Sequence, residues 1–239
     1  MKKMPEKEVL AAIIIGAAIV TGSFVFGTFF YASKTAGNTV KVTGSATKKI
    51  SSDIAKLSMT LSMTVPENSV KNAQARMMED VELLKSKLKA KGITENKIKI
   101  WPLAVNKSYD YDRSKGPSMY MLSQTVVVTS GELAKIEEMA LNTRDLSVNY
   151  AILQGLETQF LVSDLTLIKR ELIAEATRDA MARAVEMAKK SGLNIGKMVS
   201  AKAGVIQIKA PDSVEVSDYG IYSTSTIEKD ITVTVNAEF

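Results

Sequence analysis

The stretch from Val40 to Val65 reads VKVTGSATKKISSDIAKLSMTLSMTV. Apolar and polar residues alternate along it, which is the period of a β-strand with one buried face. A glycine between Thr43 and Ser45 is a turn signal, so the segment predicts two strands. The domain that begins near Val40 is therefore expected to start with strands whose apolar face packs against another element.

Two long segments with helical periodicity are candidates for that element. Residues 67–92 place six apolar side chains on one face of a helix that ends at Gly92, namely Val70, Ala73, Met77, Val81, Leu84 and Leu88. Residues 166–192 do the same with smaller side chains, namely Ile168, Leu172, Ala176, Ala180, Ala184 and Ala188. Strands are predicted over 93–105, 120–130 and 149–162, and a shorter helix over 131–146. The first long helix is expected to cover a sheet, and the alanines of the second predict close packing on a sheet or on another helix.

Two segments of the chain match each other. KAKGITENKIKI from Lys89 and KKSGLNIGKMVS from Lys189 place Gly92 and Gly192 at the same point. Each glycine is expected to close a helix in the left-handed conformation, and Ile93 and Leu193 are expected to return the chain to the core. The strands SQTVVVTS and KDITVTVNAEF also correspond. The sequence therefore predicts an α+β fold of two related strand-helix-strand-strand units, about 38–130 and 131–239, with helices packed on antiparallel or mixed sheets.

An uncharged segment runs from Val9 to Tyr31 near the amino terminus. As a helix it is long enough to cross a hydrocarbon core of ~30 Å. A cleaved signal peptide fits poorly, because Phe30 or Lys34 stands where a small residue is needed before the candidate cleavage sites. Residues 1–37 are predicted to form a cytoplasmic tip, one transmembrane anchor and a link, since the amino-terminal flank carries Lys2, Lys3 and Lys7.

The composition excludes several kinds of chemistry. The chain has no histidine and no cysteine, so the commonest general base, thiol nucleophile and soft metal ligands are missing. Its formal net charge of +5 is spread over basic residues that alternate with acidic ones, which is not typical of a nucleic-acid surface. Walker, GxGxxG, GxSxG and metal-ligand motifs are absent from the sequence. We expect no cofactor, no metal, no nucleic-acid partner and no enzymatic activity.

Several segments together resemble one known family. They are TVKVTGSATKKISSDIAKLSMTL, LKAKGITENKIKIWPLAVNKSYDY, SQTVVVT and the alanine-rich helix running into SGLNIGKMVSAKAG. Their order and spacing are similar to those of the SIMPL domain family, also known as DUF541, from Asn38 to Phe239. The resemblance implies an α+β fold of two related units, export in bacteria behind a signal or anchor, and a tendency to form homo-oligomers. It implies no agreed reaction and no catalytic residues. Lys107 and Ser108 depart from the family, which often has proline and glutamine there.

The stretch NKSYDYDRSKGPSMYM, from Asn106 to Met121, is the most reactive in appearance. In a strand its two carboxylates would share one face and its two rings the other, at Tyr109, Asp110, Tyr111 and Asp112. A carboxylate pair serves sugar hydrolysis when one member is buried enough to keep its proton. The basic neighbours favour ionised carboxylates instead, and Gly116 with Pro117 indicates an exposed turn. We interpret the stretch as a hairpin loop, with ligand or partner contact and catalysis as the alternatives.

A second segment rich in tyrosine, PDSVEVSDYGIYSTST, covers Pro211 to Thr226 and occupies the corresponding place in the second unit. Both loops are expected to project from the same edge and to form a subunit contact through Tyr219 and Tyr222, because tyrosine is enriched at interfaces. Trp101 stands within an apolar strand, so core packing is expected for it, with interface burial second.

These features lead to one functional hypothesis and two alternatives. The hypothesis is a non-enzymatic protein that spans the bacterial cytoplasmic membrane once through residues 9–31 and exposes its carboxy-terminal domain to the periplasm. There it would assemble with copies of itself as an envelope scaffold or binding module, a stress-related role being one form of this idea. One alternative is a carboxylate-dependent enzyme acting on an envelope glycan, with Asp110 and Asp112 or a helix carboxylate as acid and base. The other is a sensor or chaperone-like module.

Overall fold

The computed structural model describes residues 6–35, 39–108 and 118–239. Its helices are α1 Glu6–Thr35, α2 Val70–Ala90, α3 Leu133–Leu141 and α4 Thr166–Lys190. Its strands are β1 Lys41–Ser51, β2 Ile54–Pro66, β3 Ile98–Ile100, β4 Ala104–Ser108, β5 Met119–Ser130, β6 Ile152–Leu161, β7 Ser200–Ala203, β8 Gln207–Lys209, β9 Ile221–Tyr222 and β10 Glu228–Glu238. The predicted α+β class is confirmed.

The chain divides into two compact units. Unit 1 comprises Met1–Gly44, Thr177–Lys202 and Val235–Phe239, and unit 2 comprises Ser45–Ala176 and Ala203–Thr234. This division does not test the predicted duplication into 38–130 and 131–239, which stays a prediction.

One five-stranded sheet lies wholly within unit 2 and has the strand order β3-β5-β2-β6, with β4 also paired to β5. β2 is central and antiparallel to both neighbours, with Ala55 opposite Ser130 on one side and Ile54 opposite Leu161 on the other. Helices α2 and α3 and this sheet contribute to one hydrophobic core. Its buried residues include Leu57, Met59, Leu61, Met77, Leu84, Leu88, Leu122, Val126, Val128, Ile136 and Leu146. The apolar face predicted for α2 is therefore the buried one.

A second sheet has the order β1-β10-β8-β9, with β7 also paired to β10. β8 and β9 are parallel, so this sheet is mixed. Within unit 2, Leu172 of α4 packs with Ile208, Ile231 and Val233. Within unit 1, Ala180 and Ala184 of the same helix pack with Val42, Ala237 and Phe239. Small side chains let this part of α4 approach its strands closely, as its alanines predicted.

The prediction of a turn between the first two strands at Thr43 to Ser45 is wrong. Thr43 to Ser45 lie inside β1, and the chain turns at Ser52 and Asp53 instead. The reason is long-range pairing: β1 pairs with β10 while β2 belongs to the other sheet, so the two strands do not form a hairpin. Gly44 is buried within the alternating strand and marks no turn.

The two helix-closing glycines adopt the predicted conformation, with φ of 82° at Gly92 and 71° at Gly192. In both, the following N–H donates to the carbonyl of the residue five positions earlier, at 3.0 Å for Ile93 and 2.9 Å for Leu193. Ile93 is buried as expected, but Leu193 is 66% exposed, so that prediction is wrong. Ile195 packs against the core of unit 1 instead.

Trp101 does not pack in the core, because its side chain is 52% exposed. β3 ends at Ile100, and Pro102 cannot donate a hydrogen bond to continue the strand. The expectation of core packing is therefore wrong, and interface burial stays a prediction.

Helix α1 contains one segment, Val9–Ser33, that is long and apolar enough to cross a membrane. None of this segment is buried against the rest of the protein as the structure describes it. Its apolar side chains are exposed around the whole circumference, which distinguishes it from a core helix with one buried stripe.

Candidate functional site

The first tyrosine loop follows β4 and precedes β5, two neighbouring strands of the sheet that contains β2. Tyr109, Asp110, Tyr111 and Asp112 themselves lie outside the described residues. The strands on either side are described: Ser108 pairs with Met119, which also pairs with Pro66, the last residue of β2. This hairpin is therefore attached at the carboxy-terminal end of β2.

The second tyrosine segment is attached at the opposite end. The hydroxyl of Tyr222 accepts a hydrogen bond of 3.1 Å from the N–H of Val162. The preceding residue, Leu161, pairs with Ile54, the first residue of β2. β2 has 13 residues and spans roughly 40 Å at ~3.3 Å per residue. The two segments are therefore attached near opposite ends of β2. That both loops project from the same edge stays a prediction, because the first loop lies outside the described residues.

Residues 211–220, here called the acidic loop, are held in a defined backbone conformation. Lys209 Nζ donates to the carbonyl of Ser213 at 2.9 Å, and Gln207 Nε2 donates to that of Ser217 at 2.6 Å. Gly220 closes the loop with φ of 87° and donates its N–H to the same Ser217 carbonyl at 3.1 Å. These bonds fix the loop at three points, so its outer side chains project from a preformed base.

The outer side chains of the acidic loop combine apolar groups with negative charge. Tyr219 is 97% exposed, Val214 92% and Val216 79%. Three carboxylates alternate with them, at Asp212, Glu215 and Asp218, and the loop has no basic residue. Throughout 6–35, 39–108 and 118–239, none of these carboxylates forms an ion pair. Tyr219 thus has the exposure of a contact residue, whereas the hydroxyl of Tyr222 already accepts a hydrogen bond from the Val162 N–H.

A buried lysine holds the segment that follows. Lys229 is completely buried, and its Nζ donates to the carbonyls of Ser223 at 2.7 Å and Thr226 at 2.6 Å. Burial lowers the pKa of this ammonium group. This role was not predicted from the sequence, although in KDITVTV the lysine shares the inward face with Ile231 and Val233.

A cleft of about 600 Å³, here called the Arg76 cleft, lies in unit 2 among the end of β2, the start of α2 and the segment before β6. Half-buried Met63 and Val65 line it together with buried Ala73. Its polar lining includes Asn72, Arg76 and Asn149, and Tyr150 also contributes. The cleft therefore joins apolar surface to a positive charge and amide groups.

Arg76 and Tyr150 form the charged part of this cleft. The guanidinium carbon of Arg76 lies 5.0 Å from the centroid of the Tyr150 ring, a cation–π distance. No carboxylate is among the residues that line the cleft. Arg76 forms no ion pair with any acidic residue that the structure describes. The cation is therefore available to a carboxylate from outside.

Asp80 positions the wall of the cleft. This carboxylate is completely buried and accepts three backbone hydrogen bonds, from Asn149 at 3.0 Å, Tyr150 at 3.0 Å and Ala151 at 2.6 Å. The bonds fix the segment that carries the Tyr150 ring. Asp80 was also missed, although it stands on the predicted apolar face of α2 next to Val81.

The described ranges contain no group of three or more histidine, cysteine, aspartate or glutamate residues placed to hold a metal ion. Their notable features are instead a preformed acidic loop and a cleft with an unpaired cation. Both belong to surfaces suited to binding.

The fold and these surfaces define an α+β domain of helix-covered sheets that follows an exposed apolar helix. A family model described as "SIMPL: Protein of unknown function (DUF541)" matches residues 40–239. The chain belongs to this family, as its segments indicated. No curated protein matches the chain.

Proposed function

We propose that this SIMPL-domain protein is a non-enzymatic, membrane-tethered module that assembles with copies of itself on the periplasmic side of a bacterial cytoplasmic membrane. Its role would be that of an envelope scaffold or binding platform. Tyr109, Asp110, Tyr111, Asp112, Tyr219 and Tyr222 remain the predicted contact residues.

The observation that carries the proposal is the fully exposed apolar surface of α1. The candidate span has 25 residues, about 37 Å of helix at ~1.5 Å per residue, against a hydrocarbon core of ~30 Å. A helix satisfies its own backbone hydrogen bonds, so it can enter lipid without leaving polar groups unpaired. Phe26 and Phe30 stack at 6.0 Å near the end where Tyr31 stands, a position suited to a membrane interface.

Tethering supports self-assembly for a physical reason. Subunits confined to one membrane meet at a higher effective concentration, so a weak lateral contact suffices to join them. The acidic loop offers exposed tyrosine and valine side chains for such a contact. The orientation rests on Lys2, Lys3 and Lys7 before the span.

The membrane part is tested by fractionating cells that express the full chain and treating spheroplasts with protease. We expect the protein in the membrane fraction and its domain to be digested from outside. Replacing Ile15 and Ile19 by arginine should release it, because each charge at the centre of a span costs about 2.5 to 3.5 kcal/mol. The matched control replaces both by alanine and should stay in the membrane. A wild-type protein in the soluble fraction would contradict the proposal.

The assembly part is tested by crosslinking the wild-type chain in these membranes. Crosslinked oligomers that persist when expression, and with it the density of the protein in the membrane, is lowered support a specific contact. Exclusively monomeric protein at every expression level would refute self-assembly, whatever the result for the anchor.

A further inference from the structure

We propose that the acidic loop of one copy inserts into the Arg76 cleft of a second copy, joining subunits head to tail. This inference rests on the proposed self-association and identifies the two surfaces that would meet. Both surfaces belong to unit 2.

Charge complementarity is the first support. The loop carries Asp212, Glu215 and Asp218 without a basic residue, and the cleft carries Arg76 without a lining carboxylate. Guanidinium and carboxylate groups form short, charge-assisted hydrogen bonds that are frequently bidentate. Arg76 already lies over the Tyr150 ring, so its orientation is partly set before binding. Glu215 is the natural partner because it stands between the two exposed valines.

Apolar complementarity is the second support. Val214 and Val216 present apolar surface to water on both sides of Glu215, while Met63 and Val65 are half-buried in the cleft. Covering these side chains removes apolar area from water, which favours association. The volume of the cleft falls within the ~300 to 1,000 Å³ typical of binding pockets. The bonds from Lys209 and Gln207 reduce the entropy that the loop would lose on binding.

The positions of the two surfaces determine how copies would join. The acidic loop precedes Tyr222, which is bonded beside the Ile54 end of β2, whereas the cleft contains Met63 to Val65 near the other end. From Ile54 to Thr64 the strand advances roughly 33 Å. A contact between different patches is heterologous, so its repetition builds a ring or a filament.

The test uses disulfide trapping, because the natural chain has no cysteine. Full-length chains with Val216→Cys are mixed in membranes with chains carrying Asn149→Cys on the cleft wall. Oxidation should give disulfide-linked dimers of the two variants. Both substitutions in one chain should give a ladder of oligomers. The matched control replaces Asn149→Cys by Glu79→Cys, an exposed position on α2 outside the cleft, and should give neither product.

Charge reversal provides the second measurement. Arg76→Glu in the chain with Asn149→Cys, or Glu215→Arg in the chain with Val216→Cys, should each lower the disulfide yield at least about tenfold. When the two reversed chains are mixed, the yield should be restored. Lys71→Glu makes the same charge change on α2 outside the cleft and should leave the yield unchanged. Restoration by the second reversal also shows that the variants fold.

The outcomes separate this inference from the proposed function. Two results would overturn this contact but not self-assembly, provided that the wild type forms oligomers. One is a disulfide yield that neither charge reversal changes, and the other is a yield with Glu79→Cys equal to that with Asn149→Cys. Wild-type protein that is monomeric in membranes would overturn both.

Discussion

Replacement of Asp80 by alanine removes the carboxylate that accepts hydrogen bonds from three backbone N–H groups in the segment just before β6. The N–H of Ala151 is buried, so losing its acceptor should cost about 2 to 3 kcal/mol. The N–H groups of Asn149 and Tyr150 are partly buried and can bind water, so about 0.5 to 1 kcal/mol is expected for each. The free energy of unfolding should therefore fall by about 3 to 5 kcal/mol.

The assay is urea unfolding of the detergent-solubilised chain, followed by circular dichroism at constant detergent concentration. Asp80→Asn keeps one oxygen acceptor and should lose less than the alanine variant. Glu79→Ala, at the exposed neighbouring position, should change stability by no more than about 0.5 kcal/mol. The disulfide yield at Asn149→Cys should also fall in the Asp80 variants, because the cleft wall is no longer fixed.

One result would refute the reasoning. If Asp80→Ala lost less than about 1 kcal/mol with an unchanged urea dependence, the three hydrogen bonds would contribute no more than a surface contact. The segment before β6 would then be held mainly by its apolar neighbours.

Three further predictions follow from other sites. Burial lowers the pKa of Lys229 from its ordinary value of 10.5, so the unfolded chain binds this proton more tightly than the folded protein. The free energy of unfolding should therefore rise with pH between the lowered pKa and 10.5, and Lys229→Met should abolish that rise in a pH series of unfolding curves. Hydrogen bonds from two lysines lower the pKa of Glu95 to about 2, so the stability advantage of the wild type over Glu95→Gln should be present above pH 4.5 and disappear as pH falls toward 2. Gly92→Ala and Gly192→Ala should each cost about 1 to 2 kcal/mol in urea unfolding, because both positions have positive φ.

Each of these has a control. Lys209→Met removes an ammonium group that donates to one carbonyl at a half-buried position, and should leave the alkaline rise in place. Added salt should shrink the Glu95 effect, since the carboxylate and its partners are exposed. Gly196→Ala has neither positive φ nor a close neighbour and should be nearly neutral. An unaltered alkaline rise in Lys229→Met, a salt-independent Glu95 effect, or tolerance of alanine at both positive-φ glycines would contradict the respective explanation.

The candidate surfaces were only partly predictable. Tyr219 was found because tyrosine in a polar loop is a recognisable signal, and the structure shows it almost fully exposed. Asp80 and Lys229 carried a weaker signal, a charged residue on an otherwise apolar face. Their roles depend on carbonyl and N–H groups supplied by distant segments, which periodicity does not reveal. Arg76 had no signal, because its significance comes from Tyr150 across the cleft.

The amino-acid sequence by itself determined the apolar helix, the faces of α2 and α4, the positive-φ glycines and the family. These depend on neighbours a few residues apart, within the reach of helical and strand periods. Only the tertiary structure decided that β1 pairs with β10, that Thr43 to Ser45 do not turn, and that the two tyrosine segments attach at opposite ends of β2. Strand alternation specifies which side chains are buried, but not which distant strand supplies the hydrogen bonds.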